Sequence, residues 1–411
     1  MIEPAIERRH NLALIKTLTY VMFMMFAMTT DSVGLIIPEI IKTFRLSLTA
    51  AGTFQYATMA GIALAGLFLG QLADRFGRRP TIVFGLTLFA AASYLFVAGE
   101  SFPFFAVLLA ISGIAIGVFK TGALALIGDI AKSTAEHTAI MNTVEGFFGV
   151  GSIVGPAILA RLLADGISWK WLYVLAGSIC ALLIVAATQV RYPRTMKATS
   201  ETVGLNRTIR ALKNPYVLAF SMGAFLYVAV ESAVYVWMPT LLADYRGANA
   251  WLAAYGISIF FLLRAAGRFL GAWMLTRFHW NTVLALFSGS ILACFVISVA
   301  GTIEWAVYLL PISGSFMSLI YPTINSKGIS CLPKSEHGAA AGVILFFTCA
   351  SAVVAPLAMG AISDAMGHAR YGFALATAFA ALLFFGLLLN WWFNPMRAVL
   401  EQLDRTEYQQ I

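Results

Sequence analysis

The sequence is poor in charged residues, histidine and cysteine. Only 11% of its 411 residues are Asp, Glu, Lys or Arg, whereas an ordinary soluble domain has about 25%. The four cysteines stand singly without a Cys-x-x-Cys pattern and the five histidines are scattered, so we expect no metal site. The sequence also has no Gly-x-x-x-x-Gly-Lys phosphate-binding loop. We therefore expect neither an enzyme nor an ATP-driven pump, and no cofactor.

Apolar side chains are abundant, at 60% of the chain. A soluble domain has about 45–50%, and no soluble fold of this size buries the excess, so we expect a lipid bilayer to surround most of the chain. The formal net charge of +8 does not indicate nucleic acid, because most basic residues lie in short gaps between apolar runs. That placement is typical of membrane proteins, in which it fixes the orientation.

Twelve apolar stretches reach the length of about 20 residues that a transmembrane helix needs. They lie at 14–42, 49–73, 80–98, 103–130, 137–163, 168–190, 214–243, 250–276, 281–300, 303–331, 336–363 and 370–393. The predicted fold is an all-α integral membrane protein with twelve transmembrane helices in two pseudo-symmetric six-helix halves. The predicted parts are an N-terminal half at 1–190, a cytoplasmic linker at 191–213, a C-terminal half at 214–393 and a cytoplasmic tail at 394–411.

The basic residues predict the orientation. With both ends inside, the cytoplasmic segments hold 17 Lys and Arg residues and the opposite side holds 6, with 4 more within the spans. The positive-inside rule therefore places both termini in the cytoplasm. The N-terminus lacks the order of a signal peptide, so we expect an uncleaved first helix in the plasma (inner) membrane.

The two halves repeat each other at an offset of about 200 residues. Glu136-His137 returns as Glu336-His337, Pro156 as Pro356, and Gly66-Leu-Phe-Leu-Gly70 as Gly267-Arg-Phe-Leu-Gly271. Four matches near one offset, including an acid before a proline in spans 1 and 7, indicate an internal duplication. Repeats of this kind suit transporters in which one half moves against the other around a central site.

The loop between spans 2 and 3 reads Gly70-Gln-Leu-Ala-Asp74-Arg75-Phe-Gly77-Arg78-Arg79-Pro80. This string resembles the loop signature of the major facilitator superfamily, and the twelve-span layout agrees. The resemblance implies a secondary transporter with a cavity lined by spans 1, 4, 7 and 10. It also implies a cytoplasmic latch that regulates the conformational cycle. The expected latch residues are Gly70, Asp74, Arg75, Gly77, Arg78 and, from the repeat in span 8, Arg268.

A finer resemblance is to the branch that contains the fucose, glucose and galactose:proton symporters. It is carried by Tyr321-Pro-Thr-Ile-Asn-Ser-Lys-Gly328 in span 10, Tyr227-Val-Ala-Val-Glu231-Ser in span 7 and the Gly267–Gly271 motif. One departure is Lys120 in span 4, where the fucose-type proteins carry an acid. Gly151-Ser-Ile-Val-Gly155-Pro in span 5 resembles instead a motif of drug:proton antiporters, although a Gly-x-x-x-Gly run is also typical of close helix packing.

Ionisable residues near the bilayer centre are costly and usually functional. Asp31, Lys120 and Glu231 each lie 17 residues into their spans, and Arg264 lies 14 into span 8. Glu145, eight residues into span 5, is expected nearer the cytoplasm.

These residues allow two interpretations. In the first, the residues form fixed ion pairs, Asp31 with Lys120 and Glu231 with Arg264. In the second, an acid takes up a proton when solute binds and thereby couples protonation to transport. Lys120 and Arg264 would alternatively bind an anionic solute. For Lys120 we favour pairing with Asp31.

The aromatic residues at similar depth suit the apolar face of a sugar, and amides inside the spans need polar partners. The predicted substrate-binding residues are Lys120, Asn142, Tyr227, Glu231, Tyr235, Tyr321 and Asn325. Proton-coupling or ion-pair roles are expected for Asp31, Lys120, Glu145, Glu231 and Arg264.

The predicted function is secondary active transport, by alternating access, of a small polar solute such as a neutral or anionic sugar derivative. We expect coupling to the proton gradient, with sodium as the alternative ion, and a monomer. A drug or metabolite:proton antiporter is the alternative. A non-transporting membrane sensor is disfavoured because the tail after span 12 has only 18 residues.

Overall fold

A computed structural model describes residues 5–46, 48–193, 205–242 and 245–408, with backbone alone at 5–10, 48–53 and 205. Part of the predicted linker, 194–204, and the last three residues of the predicted tail lie outside these ranges. The helices in chain order are α1 Ala5–Thr30, α2 Val33–Phe44, α3 Leu48–Leu69, α4 Leu72–Phe76, α5 Arg78–Leu95, α6 Phe102–Ile130, α7 Thr134–Ala164, α8 Lys170–Gln189, α9 Leu205–Lys213, α10 Pro215–Ser232, α11 Met238–Leu242, α12 Ala250–Arg277, α13 Trp280–Ala300, α14 Ile303–Met317, α15 Ile320–Ile329, α16 His337–Met366, α17 Ala369–Phe393 and α18 Arg397–Leu403.

The all-α membrane fold is confirmed. Within the described ranges, eleven helical segments are long and apolar enough to cross a bilayer, and Phe54–Leu69 is a shorter apolar helix in predicted span 2. Span 2 also ends earlier than expected, because α3 stops at Leu69 and the short α4 follows. Gly77 then turns the chain into α5 with φ of 99°, a conformation that glycine adopts without steric cost.

Three predicted spans are interrupted rather than continuous. Span 1 breaks between α1 and α2 at Asp31 and Ser32, and span 10 breaks between α14 and α15. Span 7 passes through a π-helical turn, Ala233–Trp237, between α10 and α11. The interruptions of spans 1 and 7 lie beside Asp31 and Glu231, so the regular α-helix is interrupted next to the candidate acids.

The chain forms two compact units. The first comprises Met1–Lys132, Phe147–Asn214 and Leu332–Phe346, and the second comprises Ser133–Gly146, Pro215–Cys331 and Phe347–Ile411. An aromatic core in the first unit includes Phe96, Phe105, Trp169 and Tyr173, whose rings stack or meet edge to face. These large apolar contacts hold α5, α6 and α8 together and fix the helices that carry the polar residues of this unit.

Glycines bring α3 and α16 into backbone contact in the first unit. A Cβ atom built on Gly342 would lie 2.1 Å from the carbonyl oxygen of Gly66, and one on Gly338 would lie 2.6 Å from that of Gly70. Larger residues do not fit at these positions. The crossing places the start of α16 beside the loop that follows α3.

Candidate functional site

A buried ion pair with a tyrosine lies at the end of α10 in the second unit. The Arg264 guanidinium donates to Glu231 Oε1, and Tyr227 Oη donates to the same oxygen at 2.6 Å. The side chains are nearly inaccessible, with Glu231 9% and Arg264 5% exposed. One carboxylate oxygen thus receives a cation and a neutral donor, which is the environment that stabilises an ionised acid in an apolar medium.

A second buried pair lies in the same unit. Arg268 Nη1 is 3.6 Å from Glu145 Oε2 and also donates to the Glu145 carbonyl oxygen at 2.8 Å. The repeat groups Arg268 with the expected latch, but in the structure its partner is this acid on α7. Arg264 and Arg268, both in α12, therefore each hold an acid of the second unit.

Aromatic and amide side chains surround these pairs. The rings of Tyr227 and Tyr321 stack with their centroids 5.8 Å apart, and Tyr235 stacks on Phe261 at 6.3 Å. Asn142 Nδ2 donates to the carbonyl oxygen of Thr138 at 2.9 Å.

The amides of this unit keep unused hydrogen-bonding capacity. Among the residues that the structure describes, the buried Oδ1 atoms of Asn142 and Asn325 have no hydrogen-bond partner. An unpartnered amide oxygen in an apolar region is costly, which makes both atoms candidates for a hydrogen bond from a polar solute.

The candidate acid of the first unit, Asp31, has a different environment. Asp31 lies at the break between α1 and α2 and is exposed. Its carboxylate accepts a hydrogen bond from Ser152 Oγ of α7 and a longer one, 3.4 Å, from Thr30 Oγ1. The two hydroxyl donors lower the cost of its charge.

The expected Asp31–Lys120 ion pair does not form between the described atoms of these two residues. The Lys120 ammonium instead lies 4.6 Å from the centroid of the Phe148 ring and 5.7 Å from that of Phe23. A phenyl face attracts a cation through its quadrupole, so α1 and α7 hold the lysine with aromatic rings. Asp31 and Lys120 lie equally far into their predicted spans, but this position does not specify the direction in which either side chain points. The sequence therefore did not predict the ring contacts of Lys120.

The loop after α3 contains a buried charge cluster. Arg78, only 1% exposed, donates from Nη1 to Asp74 at 2.6 Å and from Nε to Asp129 at 2.9 Å. Its Nη2 donates to the carbonyl oxygen of Lys334 at 2.5 Å. One guanidinium therefore joins α4, α6 and the turn before α16 within the first unit.

Asp74 caps the N-terminus of α16. Its carboxylate oxygens accept the backbone N–H groups of Gly338 and Ala339, each at 3.0 Å, which satisfies donors that have no partner inside the helix. Burial raises the pKa of the Asp74 carboxyl above its ordinary value, while Arg78 and the two N–H groups act in the opposite direction. The contact joins positions 264 residues apart in sequence.

The remaining loop residues take separate roles. Arg75 is exposed and lies over the Phe76 ring at 5.0 Å, and Arg79 donates to the carbonyl oxygen of Thr188. Gly70 packs against α16, and Gly77 supplies the turn into α5. Of the three loop arginines, only Arg78 contacts Asp74 in the structure.

The span 5 motif is explained by packing. Cβ atoms built on Gly151 and Gly155 would lie 2.0 and 2.2 Å from the carbonyl oxygens of Met24 and Met28. These glycines therefore let α7 approach α1 closely. The resemblance to antiporters at this position needs no functional explanation.

The chain's C-terminal segment caps α7 in the second unit. Asp404 accepts the backbone N–H of Thr134 at 2.7 Å and the Thr134 hydroxyl at 3.0 Å. Beside this contact, Lys327 Nζ donates to the Thr134 carbonyl oxygen at 3.2 Å and lies 5.5 Å from the Trp280 ring. A cavity of about 530 Å³ separates this segment from α12 and α15.

Sequence reasoning missed Asp129, Ser152 and Asp404 as partners of functional groups. Asp129 is 51 residues from Arg78, Ser152 is 121 from Asp31, and Asp404 is 270 from Thr134. None of these three sequence separations equals the repeat offset of about 200 residues, so the repeat does not predict the contacts. The sequence offered one signal, because Asp129 lies at the end of predicted span 4.

The helical spans and the buried ion pairs within them define a polytopic membrane protein of the transporter class. The chain belongs to the Major Facilitator Superfamily, whose pattern it matches over residues 19–356. It is 24% identical over 403 residues to a glucose/galactose transporter of Brucella abortus, with 94% of this chain and 96% of the relative covered. The L-fucose-proton symporter of Escherichia coli is 23% identical over 383 residues, covering 84% and 86%.

A solved structure shows the same fold. The transporter FucP in the outward conformation superposes with a TM-score of 0.78 at 20% identity, covering 92% of this chain and 99% of FucP. At this identity the likeness concerns the fold.

Proposed function

We propose that the chain transports a sugar or sugar derivative across the membrane in symport with protons. The names of two relatives that match over more than four fifths of both chains support the proposal, since one is a glucose/galactose transporter and the other an L-fucose-proton symporter. The observation that carries the coupling is the buried Glu231–Arg264–Tyr227 cluster.

The cluster suits reversible protonation. While Arg264 lies against Glu231, the carboxylate is stabilised as an ion; a solute that draws the guanidinium away would leave a buried acid that binds a proton readily. Tyr227 provides a neutral donor to the same oxygen. Proton uptake and solute binding would thereby favour each other, which is the requirement for symport.

Solute contacts are proposed for residues of the second unit that have unused polar atoms or aromatic faces. Asn142 and Asn325 would hydrogen-bond to hydroxyl groups, and Tyr227, Tyr235 and Tyr321 would contact the apolar face of the sugar ring. Asp31, accessible and hydrogen-bonded to Ser152, is the second candidate for the coupling proton.

The loop cluster is proposed as the conformational latch. Asp74 binds the start of α16 through two backbone N–H groups, and Arg78 holds Asp74 in place. A contact between residues so distant in sequence suits a role in the transport cycle rather than in solute recognition.

We also propose the location, the oligomeric state and the coupling ion of the protein. The protein would act as a monomer in the plasma (inner) membrane, with both termini in the cytoplasm. It would use the proton gradient and no bound cofactor, with sodium as the alternative coupling ion.

Uptake into proteoliposomes tests the coupling. With labelled glucose or galactose and an imposed pH gradient, the wild type should accumulate sugar, whereas Glu231→Gln and Asp31→Asn should lose accumulation and retain part of the sugar exchange. Exchange persists because it needs conformational change but no net proton release.

The matched control is Glu304→Gln, which alters an exposed acid at the start of α14 and should leave accumulation unchanged. Full accumulation by both amide variants would exclude Glu231 and Asp31 as proton carriers. Accumulation driven by a sodium gradient alone would replace the proton in the proposal.

A further inference from the structure

Lys120 presents a cation in the middle of α6. Its side chain is half-buried, and the Nζ atom lies over the rings of Phe148 and Phe23 at 4.6 and 5.7 Å from their centroids. The rings come from α7 and α1, so three helices of the first unit meet at this ammonium. The position in α6, far from either helix end, keeps the side chain from reaching the bilayer surface.

Lys120 differs in its partners from the two arginines in the middle of α12. Arg264 and Arg268 each contact a carboxylate, that of Glu231 and that of Glu145 respectively. Across the described ranges, no carboxylate lies within ion-pair distance of Lys120, and Asp31 is hydrogen-bonded to Ser152 and Thr30. Among the residues that the structure describes, the Lys120 ammonium therefore has two ring faces as neighbours and no ion-pair partner.

Ring faces are incomplete partners for an ammonium group. They attract the cation through a quadrupole, which is weaker than a full opposite charge, and they accept none of its three N–H donors well. An anion that contacts the accessible side of Lys120 would supply both an opposite charge and acceptors for the N–H donors of the ammonium group. The arrangement orients the lysine while leaving its charge available.

We propose that Lys120 binds a carboxylate of the transported solute, so that the chain prefers sugar acids carrying one negative charge over neutral sugars. The inference rests on the proposed function and names its substrate class. A monoanion and Lys120 sum to zero charge, which lowers the cost of enclosing both in a low-dielectric site. A sugar phosphate carries nearly two negative charges at neutral pH and would leave one unbalanced.

Binding and transport assays with defined probes test the inference. The purified full-length protein would be reconstituted and its uptake of labelled glucuronate measured in competition with unlabelled glucuronate, glucose and glucose 6-phosphate. We expect glucuronate to compete at concentrations at least tenfold lower than glucose or glucose 6-phosphate.

Substitutions at Lys120 assign the preference to this side chain. Lys120→Gln should raise the half-inhibitory concentration of glucuronate at least tenfold and change that of glucose less than threefold, whereas Lys120→Arg should keep most of the preference. Thermal stability of each purified variant in detergent identifies loss of fold, and the charge-retaining arginine variant keeps the test informative if the glutamine variant does not fold.

Lys170→Gln is the matched control. The Lys170 ammonium also lies over a phenyl ring, that of Phe105 at 5.0 Å, but it donates to the Gly99 carbonyl oxygen, and Lys170 is the first residue of α8. This variant should transport glucuronate as the wild type does.

The outcomes separate this inference from the proposed function. Proton-driven uptake of glucose without binding of glucuronate would overturn the inference and leave the proposed function standing. Preference for glucose 6-phosphate, or glucuronate affinity unchanged in Lys120→Gln, would also overturn it. Absence of proton-driven uptake of every sugar, together with uptake of an unrelated solute, would overturn the proposed function itself.

Discussion

Single residues of this chain balance charge in two different ways. Glu231 and Glu145 each face an arginine of α12, whereas Lys120 faces two phenyl rings. An ion pair in an apolar region compensates the desolvation of both groups, and removing one partner leaves the other charge uncompensated. Ring contacts compensate less. Glu231 and Glu145 thus belong to closed ion pairs, whereas Lys120 has no acidic partner among the described residues.

A double-mutant cycle on Arg268 and Glu145 measures what a closed pair contributes. Each single alanine substitution should lower the free energy of unfolding by about 3–5 kcal/mol, because an unpaired buried charge remains. The double substitution should cost less than the sum of the two. Denaturation by sodium dodecyl sulfate in mixed micelles would give the four free energies.

The exposed Arg161–Asp165 pair is the comparison. Its side chains are 78% and 42% exposed, so the same cycle should give a coupling of about 0.3–0.5 kcal/mol. Additive losses at Arg268 and Glu145 would show that the two side chains do not stabilise each other.

At the scale of elements, the helix breaks have local causes in the sequence. Thr29, Thr30 and Ser32 donate their hydroxyls to carbonyl oxygens three or four residues earlier, and such bonds bend helices. Pro38 follows in α2 without a backbone N–H. A hydropathy profile cannot detect the break, because apolar residues continue on both sides of it.

The break in span 7 has a related cause. Pro239 offers no N–H to the preceding turn, and the backbone widens there into the π-helical turn Ala233–Trp237. The turn begins two residues after Glu231. Both interruptions therefore place a candidate acid where backbone groups are less regularly paired, as in the discontinuous helices of other transporters.

The start of α7 depends on an acid from the other end of the chain. Asp404 accepts the N–H and the hydroxyl of Thr134, as a capping residue does within one helix. Asp404→Ala should lower the free energy of unfolding by about 1 kcal/mol, the usual contribution of an N-cap. It should also increase protease cleavage after Arg405, because α18 loses an anchor.

Glu401→Ala provides the matched control for this substitution. Glu401 pairs with Arg397 on the exposed face of α18, so its removal should change stability by less than about 0.5 kcal/mol. Equal protease sensitivity of the Asp404→Ala and Glu401→Ala variants would mean that the Thr134 contact does not anchor the C-terminal segment.

For the molecule as a whole, the sequence predicts properties that depend on distance along the chain. Span length and hydropathy predict the helices, and counting residues from the span edges places Glu231 and Arg264 at one depth, where they meet. Contacts that depend on helix rotation and packing were not predictable. The contacts of Asp129 with Arg78, Ser152 with Asp31 and Asp404 with Thr134 join residues 51, 121 and 270 positions apart in sequence.

The distribution of basic residues predicts the orientation of the whole chain. With 17 of them in the predicted cytoplasmic segments against 6 on the other side, we expect position 402 to face the cytoplasm and position 42 the outside. The four native cysteines are buried, so single cysteines at exposed positions report accessibility. In intact cells, a membrane-impermeant maleimide should label Lys42→Cys and should leave Gln402→Cys unlabelled until the membrane is permeabilised. Labelling of Gln402→Cys in intact cells, with Lys42→Cys protected, would invert the predicted topology and place the Asp74 loop on the outer face.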